Sequence, residues 1–279
     1  MSLHNKVGGA WKTLTEAFVH VGGTWKPCGD VFIRVAGVWK STLYEAGSQT
    51  ITATGSGSFT VPSGVYSLTI SVMGAGGGGG FGGDIFDYGA GGAGGSAGAY
   101  ITGAISVSPA QVITYNVGAY GIGSNTYSGG RTFAPDGGST SLVSGSNTIT
   151  AGGGGGGGNI SGTYGNPNTA YARPGGIASA TSSTGLSLNN GSQGANGGRG
   201  TNGYSSGSGG NGANSFSNIG IGGTATNGVN YGTLTPEGAS NAAASGYGAG
   251  GGGGGWLDRN PSTRGNGGKG SNGKIVLTW

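Results

Sequence analysis

Three times in its first 45 residues the chain alternates apolar and polar side chains up to a short glycine-bearing break, then alternates again. Val7-Gly8-Gly9-Ala10-Trp11-Lys12, Val21-Gly22-Gly23-Thr24-Trp25-Lys26 and Val35-Ala36-Gly37-Val38-Trp39-Lys40 recur every 14 residues. Period-two alternation is a strand signal. A Gly-Gly pair between two such runs, as between Phe18-Val19-His20-Val21 and Thr24-Trp25-Lys26, suits both central positions of a primed turn. The pattern predicts three β-hairpins. The third copy carries Ala36 where the turn favours glycine, so that turn is either strained or of another type. Three tryptophans at one repeat position can form a small shared core. Residues 1–45 then either pack as a meander on the neighbouring domain or build a pseudo-threefold platform.

From Gln49 the texture changes to runs of Thr, Ser, Val and Ile. Gln49 to Thr54, Ser58 to Val61 and Ser67 to Met73 read as strands, with Pro62-Ser63-Gly64 as a turn. Ala99 to Val107, Val112 to Val117, Thr140 to Val143, Thr148 to Ala151 and Lys274 to Trp279 read the same way. Strands at this spacing predict a two-sheet sandwich.

Between the strands lie glycines with a period of three: Gly89, Gly92, Gly95 and Gly98; Gly191, Gly194, Gly197, Gly200 and Gly203; Gly267, Gly270 and Gly273. Three residues per turn is the period of an extended left-handed helix with no internal hydrogen bonds. Its N–H and C=O groups must therefore pair with neighbouring segments, and only glycine lets backbones approach that closely. Collagen shares the period but needs proline in many more triplets, and residues 191–203 contain none.

Composition sharpens the problem. With 74 glycines in 279 residues, at roughly 0.5 to 1 kcal/mol of backbone entropy each relative to alanine, the folding cost reaches tens of kcal/mol. The backbone itself must be tied down to repay it. Charged residues make up 7% of the chain and the net charge is +4. It divides as +2 before residue 46 (five basic, three acidic) and +2 after it (seven basic, five acidic). No basic tract marks a nucleic-acid footprint. The single cysteine, Cys28, allows no internal disulfide and reads as a small buried apolar residue. Neither an apolar signal segment nor a run of about 18 apolar residues occurs, so we expect no signal peptide and no membrane insertion.

The run Gly57-Ser58-Phe59-Thr60-Val61-Pro62-Ser63-Gly64-Val65, followed by Leu68-Thr69-Ile70-Ser71-Val72-Met73-Gly74-Ala75-Gly76-Gly77-Gly78, resembles the glycine-rich domain frequent in bacteriophage tail proteins. The resemblance continues through Gly98-Ala99-Tyr100, Val117-Gly118-Ala119 and Thr148-Ile149-Thr150-Ala151-Gly152-Gly153 to Gly273-Lys274-Ile275-Val276-Leu277-Thr278-Trp279, covering residues 49–279. The N-terminal repeats are similar to segments of such tail proteins, and the glycine blocks are similar to the polyglycine-helix fibre-tip adhesins of T-even-like phages. The implied fold is all-β with no significant α-helix. A small threefold hairpin repeat (1–45) precedes a β-sandwich framework (46–279) with an inserted polyglycine II helix bundle at Gly76 to Gly95, Gly152 to Gly158, Gly191 to Gly212 and Gly246 to Gly273. The implied function is a tail-fibre tip adhesin on the virion, made in the host cytoplasm. Residues 1–45 would meet a homotrimeric fibre shaft through Trp11, Trp25, Trp39, Lys12, Lys26 and Lys40. Distal loops would bind a bacterial surface protein or glycan.

The residues leave little for catalysis. The carboxylates are Glu16, Asp30, Glu45, Asp84, Asp87, Asp136, Glu237 and Asp258. Asp84 and Asp87 are neighbours in one glycine-rich turn, not an opposed acid and base. From residue 46 onward there is no histidine or cysteine, which removes imidazole triads and thiol nucleophiles. His4 and His20 occupy different repeat positions without carboxylate or cysteine partners, so no metal and no cofactor is expected. What does recur is a large side chain wherever a glycine run breaks: Phe81, Ile85, Phe86 and Tyr88; Tyr120 and Tyr127; Tyr164 and Tyr171; Tyr204 and Phe216; Tyr231; Trp256. Aromatics among Ser, Asn and Gly have the composition of binding loops, and the competing role for each is to plug the end of the glycine bundle. A structural or ice-binding glycine protein is the alternative class.

Overall fold

The computed structural model describes residues 4–7, 10–13, 18–27, 32–35, 38–41, 46–85, 88–125, 132–163, 166–168, 172–181, 185–197, 210–216, 220–223, 244–255 and 265–279. The N-terminal repeats form three hairpins, each a separate two-stranded sheet: β1 (His4–Val7) with β2 (Ala10–Thr13), β3 (Phe18–Val21) with β4 (Thr24–Pro27), and β5 (Phe32–Val35) with β6 (Val38–Ser41). Their innermost pairs, Val7 with Ala10, Val21 with Thr24 and Val35 with Val38, repeat the 14-residue offset. Gly22 and Gly23 have φ of 61° and 82°, the two positive values of a primed turn. The third hairpin closes on the same register, while its Ala36-Gly37 turn lies outside the described residues. Trp11, Trp25 and Trp39 stand opposite Lys6, His20 and Arg34, so the repeat is carried by backbone pairing as well as by sequence.

The rest of the chain supplies β7 (Ser48–Ile51), β8 (Gly55–Thr60), β9 (Ser67–Met73), β10 (Gly83–Ile85), β11 (Tyr88–Ala90), β12 (Tyr100–Ser106), β13 (Val112–Val117), β14 (Thr140–Ser144) and β15 (Asn147–Ala151). There follow β16 (Ser161–Thr163), β17 (Asn166–Asn168), β18 (Ala178–Ala180), β19 (Leu186–Asn189), β20 (Gly220–Ile221), β21 (Ser245–Gly246) and β22 (Lys274–Thr278). Two antiparallel five-stranded sheets, β19-β12-β9-β22-β7 and β18-β15-β14-β13-β8, face each other. Among the described residues no α-helix occurs. Alternation does the work expected of it: Leu68, Ile70 and Val72 of β9 and Ile275 and Leu277 of β22 meet Phe59, Ile113, Leu142 and Ile149 of the other sheet in one buried core. Each such side chain contributes on the order of 1.5 to 3 kcal/mol by leaving water.

Most of these strands run on into glycine. After β9, β13, β15 and β19 the chain leaves the sandwich as 74–82, 118–124, 152–160 and 190–197, and it returns as 91–99, 134–138, 172–177 and 265–273 into β12, β14, β18 and β22. The antiparallel order of the sheets thereby sets alternating directions in the glycine segments. In 74–82 the N–H groups donate in rotation. Gly74, Gly77 and Gly80 donate to the carbonyls of Ala99, Ser96 and Ala93; Ala75 and Gly78 to Gly138 and Pro135; Gly76, Gly79 and Gly82 to Ser271, Gly268 and Gly265. The carbonyls accept in the same rotation, from Gly154 and Gly157, from Gly121 and Ser124, and from Gly251 and Gly254. Partner numbers descend in the first three cases and ascend in the last three. The segment is therefore enclosed by three antiparallel and three parallel neighbours, with a hydrogen-bond period of three residues.

Close approach is what glycine supplies here. A Cβ on Gly74, Gly77 or Gly80 would run into the carbonyls of Gly152, Gly155 and Gly158, and one on Gly76, Gly79 or Gly82 into those of Ala249, Gly252 and Gly254. No side chain fits at those positions without parting two backbones and breaking the hydrogen bonds between them.

Candidate functional site

The molecule has two ends. At one, the Gly47 and Trp279 backbones exchange hydrogen bonds of 3.0 and 2.9 Å, and residue 46 leads back to the hairpins. The Trp279 ring lies over Gly47 and 5.4 Å from the Phe59 ring, closing the sandwich. At the other, the outgoing segments meet the returning ones: Gly82 bridges Gly265, Phe133 bridges Gly158, and Gly157 bridges Ala172. Gly210 donates to Gly92 there. The excursions 83–90, 125–133, 161–171, 198–209 and 256–264 are thus all bracketed by residues at the end of the bundle away from residue 46.

Polar and apolar anchors hold this distal end. Phe81, expected among the binding residues, is 2% exposed and packs with Ala90 and Ile160. It takes the plugging role, so it is not a surface contact. Its N–H donates to Asn159 Oδ1 at 2.8 Å, and Asn159 Nδ2 donates to Thr132 Oγ1 at 2.8 Å, linking two of the excursions' bases. Arg173 donates to both carboxylate oxygens of Asp136 at 3.0 and 2.9 Å and lies 5.3 Å over the Phe133 ring. Asp136 Oδ1 also accepts the Gly156 N–H at 2.7 Å. These contacts fix the ends of 125–133 and 161–171 relative to each other. Phe133 itself is exposed beside them.

The remaining predicted residues divide. Ile85 and Tyr88 are paired on β10 and β11, in a hairpin at the distal end that adjoins β16 and β17. Phe86, Tyr127, Tyr164, Tyr171, Tyr204, Tyr231 and Trp256 lie outside the described residues. The residues bracketing Tyr231 do not lie with the rest: Gly223 donates to Gly250 and Ala244 to Lys269, on the flank of the bundle. Tyr120 and Phe216 are also on the flank, where the bundle joins the sandwich. Phe216 stacks on Tyr100 with ring centroids 5.0 Å apart, and the Tyr120 N–H donates to Asn272 Oδ1 at 3.1 Å. Trp11, Lys12, Trp25, Lys26, Trp39 and Lys40 occupy matching positions on β2, β4 and β6.

Sequence reasoning missed Tyr247, which breaks a glycine run in Ser245-Gly246-Tyr247-Gly248 as plainly as the tyrosines it singled out. It also missed the Asp136–Arg173 pair, whose partners are 37 residues apart and carry no local signal. Among the described residues no cluster of His, Cys, Asp and Glu could hold a metal ion, and no helix is long and apolar enough to cross a membrane. A family model described as a glycine-rich domain matches residues 51–279. No curated protein matches the chain.

Proposed function

The chain belongs to the glycine-rich domain family over residues 51–279, and from that premise we propose that it is a bacteriophage tail-fibre tip adhesin acting by binding rather than catalysis. Its period-three segments act as a polyglycine II helix bundle that carries receptor-binding loops. One observation carries the reading: the residues that bracket 83–90, 125–133, 161–171, 198–209 and 256–264 lie together at the end of a backbone-bonded bundle opposite the end where residue 46 leads to the hairpins. Loops on a rigid scaffold are where recognition is usually placed, because the scaffold absorbs the ordering cost before the partner arrives. Residues 1–45 attach one copy of the chain to a homotrimeric shaft, since three equal hairpins in one chain can match a threefold partner. The distal loops contact a bacterial outer-surface protein or glycan.

The test uses the full chain. Replacing 198–209 and 256–264 by Gly-Ser linkers is expected to abolish adsorption to susceptible cells while the melting temperature stays unchanged. Substituting Trp11, Trp25 and Trp39 together by alanine is expected to release the chain from the fibre and leave adsorption intact. Adsorption that follows residues 1–45 instead would overturn the polarity, and three copies of the chain per fibre in an intact mass would overturn the adaptor role.

A further inference from the structure

On the flank, where the bundle meets the first sheet, the chain bends over β9 and β22 at residues 246–248. Gly246 and Gly248 have φ of 72° and 70°, a region that costs other residues about 1 to 2 kcal/mol. A Cβ on Gly248 would also sit 2.7 Å from Met73 Cγ and Sδ. Glycine is therefore favoured on both sides of Tyr247, and the bend holds this half-buried tyrosine at the ends of β9 and β22. Lys274, paired with Met73 across the sheet, places Nζ 4.9 Å from the Tyr247 ring centre. Lys269 places Nζ 5.1 Å from the Tyr120 ring centre, and Asn272 holds Tyr120 through its backbone N–H. Tyr120, Tyr247, Lys269 and Asn272 line a pocket of about 340 Å³, within the span of roughly 300 to 1,000 Å³ usual for small-ligand sites.

The chemistry of the pocket is one-sided. Among the described residues neither lysine pairs with a carboxylate; the ion pair formed by Arg173 and Asp136 lies at the distal end. Each ammonium is held by a ring face instead, worth about 0.5 to 1 kcal/mol at an exposed site, which orients the charge without neutralising it. Backbone groups here are taken by the bundle: the Lys269 carbonyl accepts from Ala244, and Gly270 donates to Gly121. The Lys269 ammonium, the two tyrosine rings and the Asn272 Nδ2 face the pocket, while the Lys274 ammonium is held on the Tyr247 ring beside it. That set offers cationic donors and apolar ring surface together, which matches a molecule with an anionic oxygen, hydroxyl groups and a C–H face.

We propose that the pocket between Tyr120 and Tyr247 binds an acidic saccharide, Lys269 taking its carboxylate or phosphate and the tyrosine rings its sugar face. The site stands apart from the distal loops and does not rest on their role. The experiment titrates the full chain with trigalacturonate, with its neutral methyl ester, and with inorganic pyrophosphate. Saturable trigalacturonate binding is expected, weakened about tenfold by Lys269→Gln, the loss of one charge-assisted contact, and less by Lys274→Gln, which acts only through the Tyr247 ring. The ester is expected to bind at least about tenfold more weakly by the same reasoning. Tyr247→Ala should lower affinity, and a chain with linkers in place of 198–209 and 256–264 should bind as the parent does. Both Lys→Gln variants change side chains outside the core and lose one exposed cation–π contact each, so their melting temperatures should fall by no more than about 2 to 4 °C. Absence of saturable binding, equal binding of the ester, or a Lys269→Gln variant that binds undiminished would overturn the site. Pyrophosphate that binds as tightly as trigalacturonate would overturn the saccharide assignment.

Discussion

The sandwich and the glycine bundle share strands and directions yet are held together by opposite means. In the sandwich, side chains fill the space between two sheets: Ile70, Leu142 and Leu277 are fully buried, and backbone hydrogen bonds stay within each sheet. In the bundle, the space between segments is too small for a methyl group, and the backbone bonds outward to neighbours on every side. The comparison separates two uses of glycine. Gly22 and Gly23 have open space where a Cβ would stand and are needed for positive φ; Gly76 to Gly80 have no positive φ and are needed because a Cβ has nowhere to go. The antiparallel order of the sandwich sets the direction of the bundle segments that continue its strands.

The largest effect should come from adding atoms to the bundle. Gly79 donates to Gly268 and accepts from Ser124, and its missing Cβ faces the Gly252 carbonyl. Gly79→Val forces those backbones apart and breaks hydrogen bonds that the interior cannot replace with water. The cost should be on the order of 3 kcal/mol or more, read as a drop in the thermal or denaturant midpoint. A Gly79→Val chain that melts with the parent would mean the bundle is loosely packed, and the contrast with the sandwich would collapse.

The sandwich was far more legible in the sequence than the bundle. Ser67–Met73 and Val112–Val117 have the bounds read from the sequence, and from Ser67 to Val72 one face is buried while the other is not. β7 ends at Ile51 rather than continuing to Thr54. The short strands β16 to β21 escaped notice, since stretches such as Ala178-Ser179-Ala180 carry little apolar signal even though Ala178 and Ala180 pack against the core. The glycine blocks pointed to Gly76 to Gly95, Gly152 to Gly158, Gly191 to Gly212 and Gly246 to Gly273 but not to 118–124, 134–138 or 172–177. There Tyr120, Pro135, Asp136 and Pro174 dilute the glycine, because a segment at the rim needs glycine only where it faces another backbone. The break between Gly82 and Gly91, a hairpin of β10 and β11, was hidden inside what reads as one glycine block. At the distal end, the exposure of aromatics was not encoded locally: Phe81 is buried by Ala90 and Ile160, whose proximity only the closed bundle creates.

A smaller effect, opposite in kind, should come from removing atoms from the sandwich. Ile70 is fully buried in the core formed with Leu142 and Ile149. Ile70→Val deletes one methylene and should cost about 0.5 to 1.5 kcal/mol, the usual loss of transfer energy plus a small cavity. The same methylene added at Gly79 would be far worse. If Ile70→Val cost as much as Gly79→Val, side-chain and backbone packing would be equally unforgiving here.

The smallest effect should come from charge at the rim of the bundle. Asp136 and Arg173 are paired at 2.9 Å, but their side chains are 44% and 46% exposed, so water and salt screen the attraction. Asp136→Asn keeps the Oδ1 acceptor for the Gly156 N–H and the approximate shape, and removes the charge together with the Oδ2 acceptor for Arg173. The expected loss is below about 1 kcal/mol. It should shrink further in about 1 M salt, where the screening length falls to roughly 3 Å. The measurement is the denaturant midpoint of parent and Asp136→Asn chains at low and high salt. A large, salt-independent loss would place this pair among the supports of the fold, and the rim would then depend on side chains as the sandwich does. A small loss that salt erases leaves the bundle resting on its backbone, with Asp136 and Arg173 serving to hold the bases of the distal loops in place.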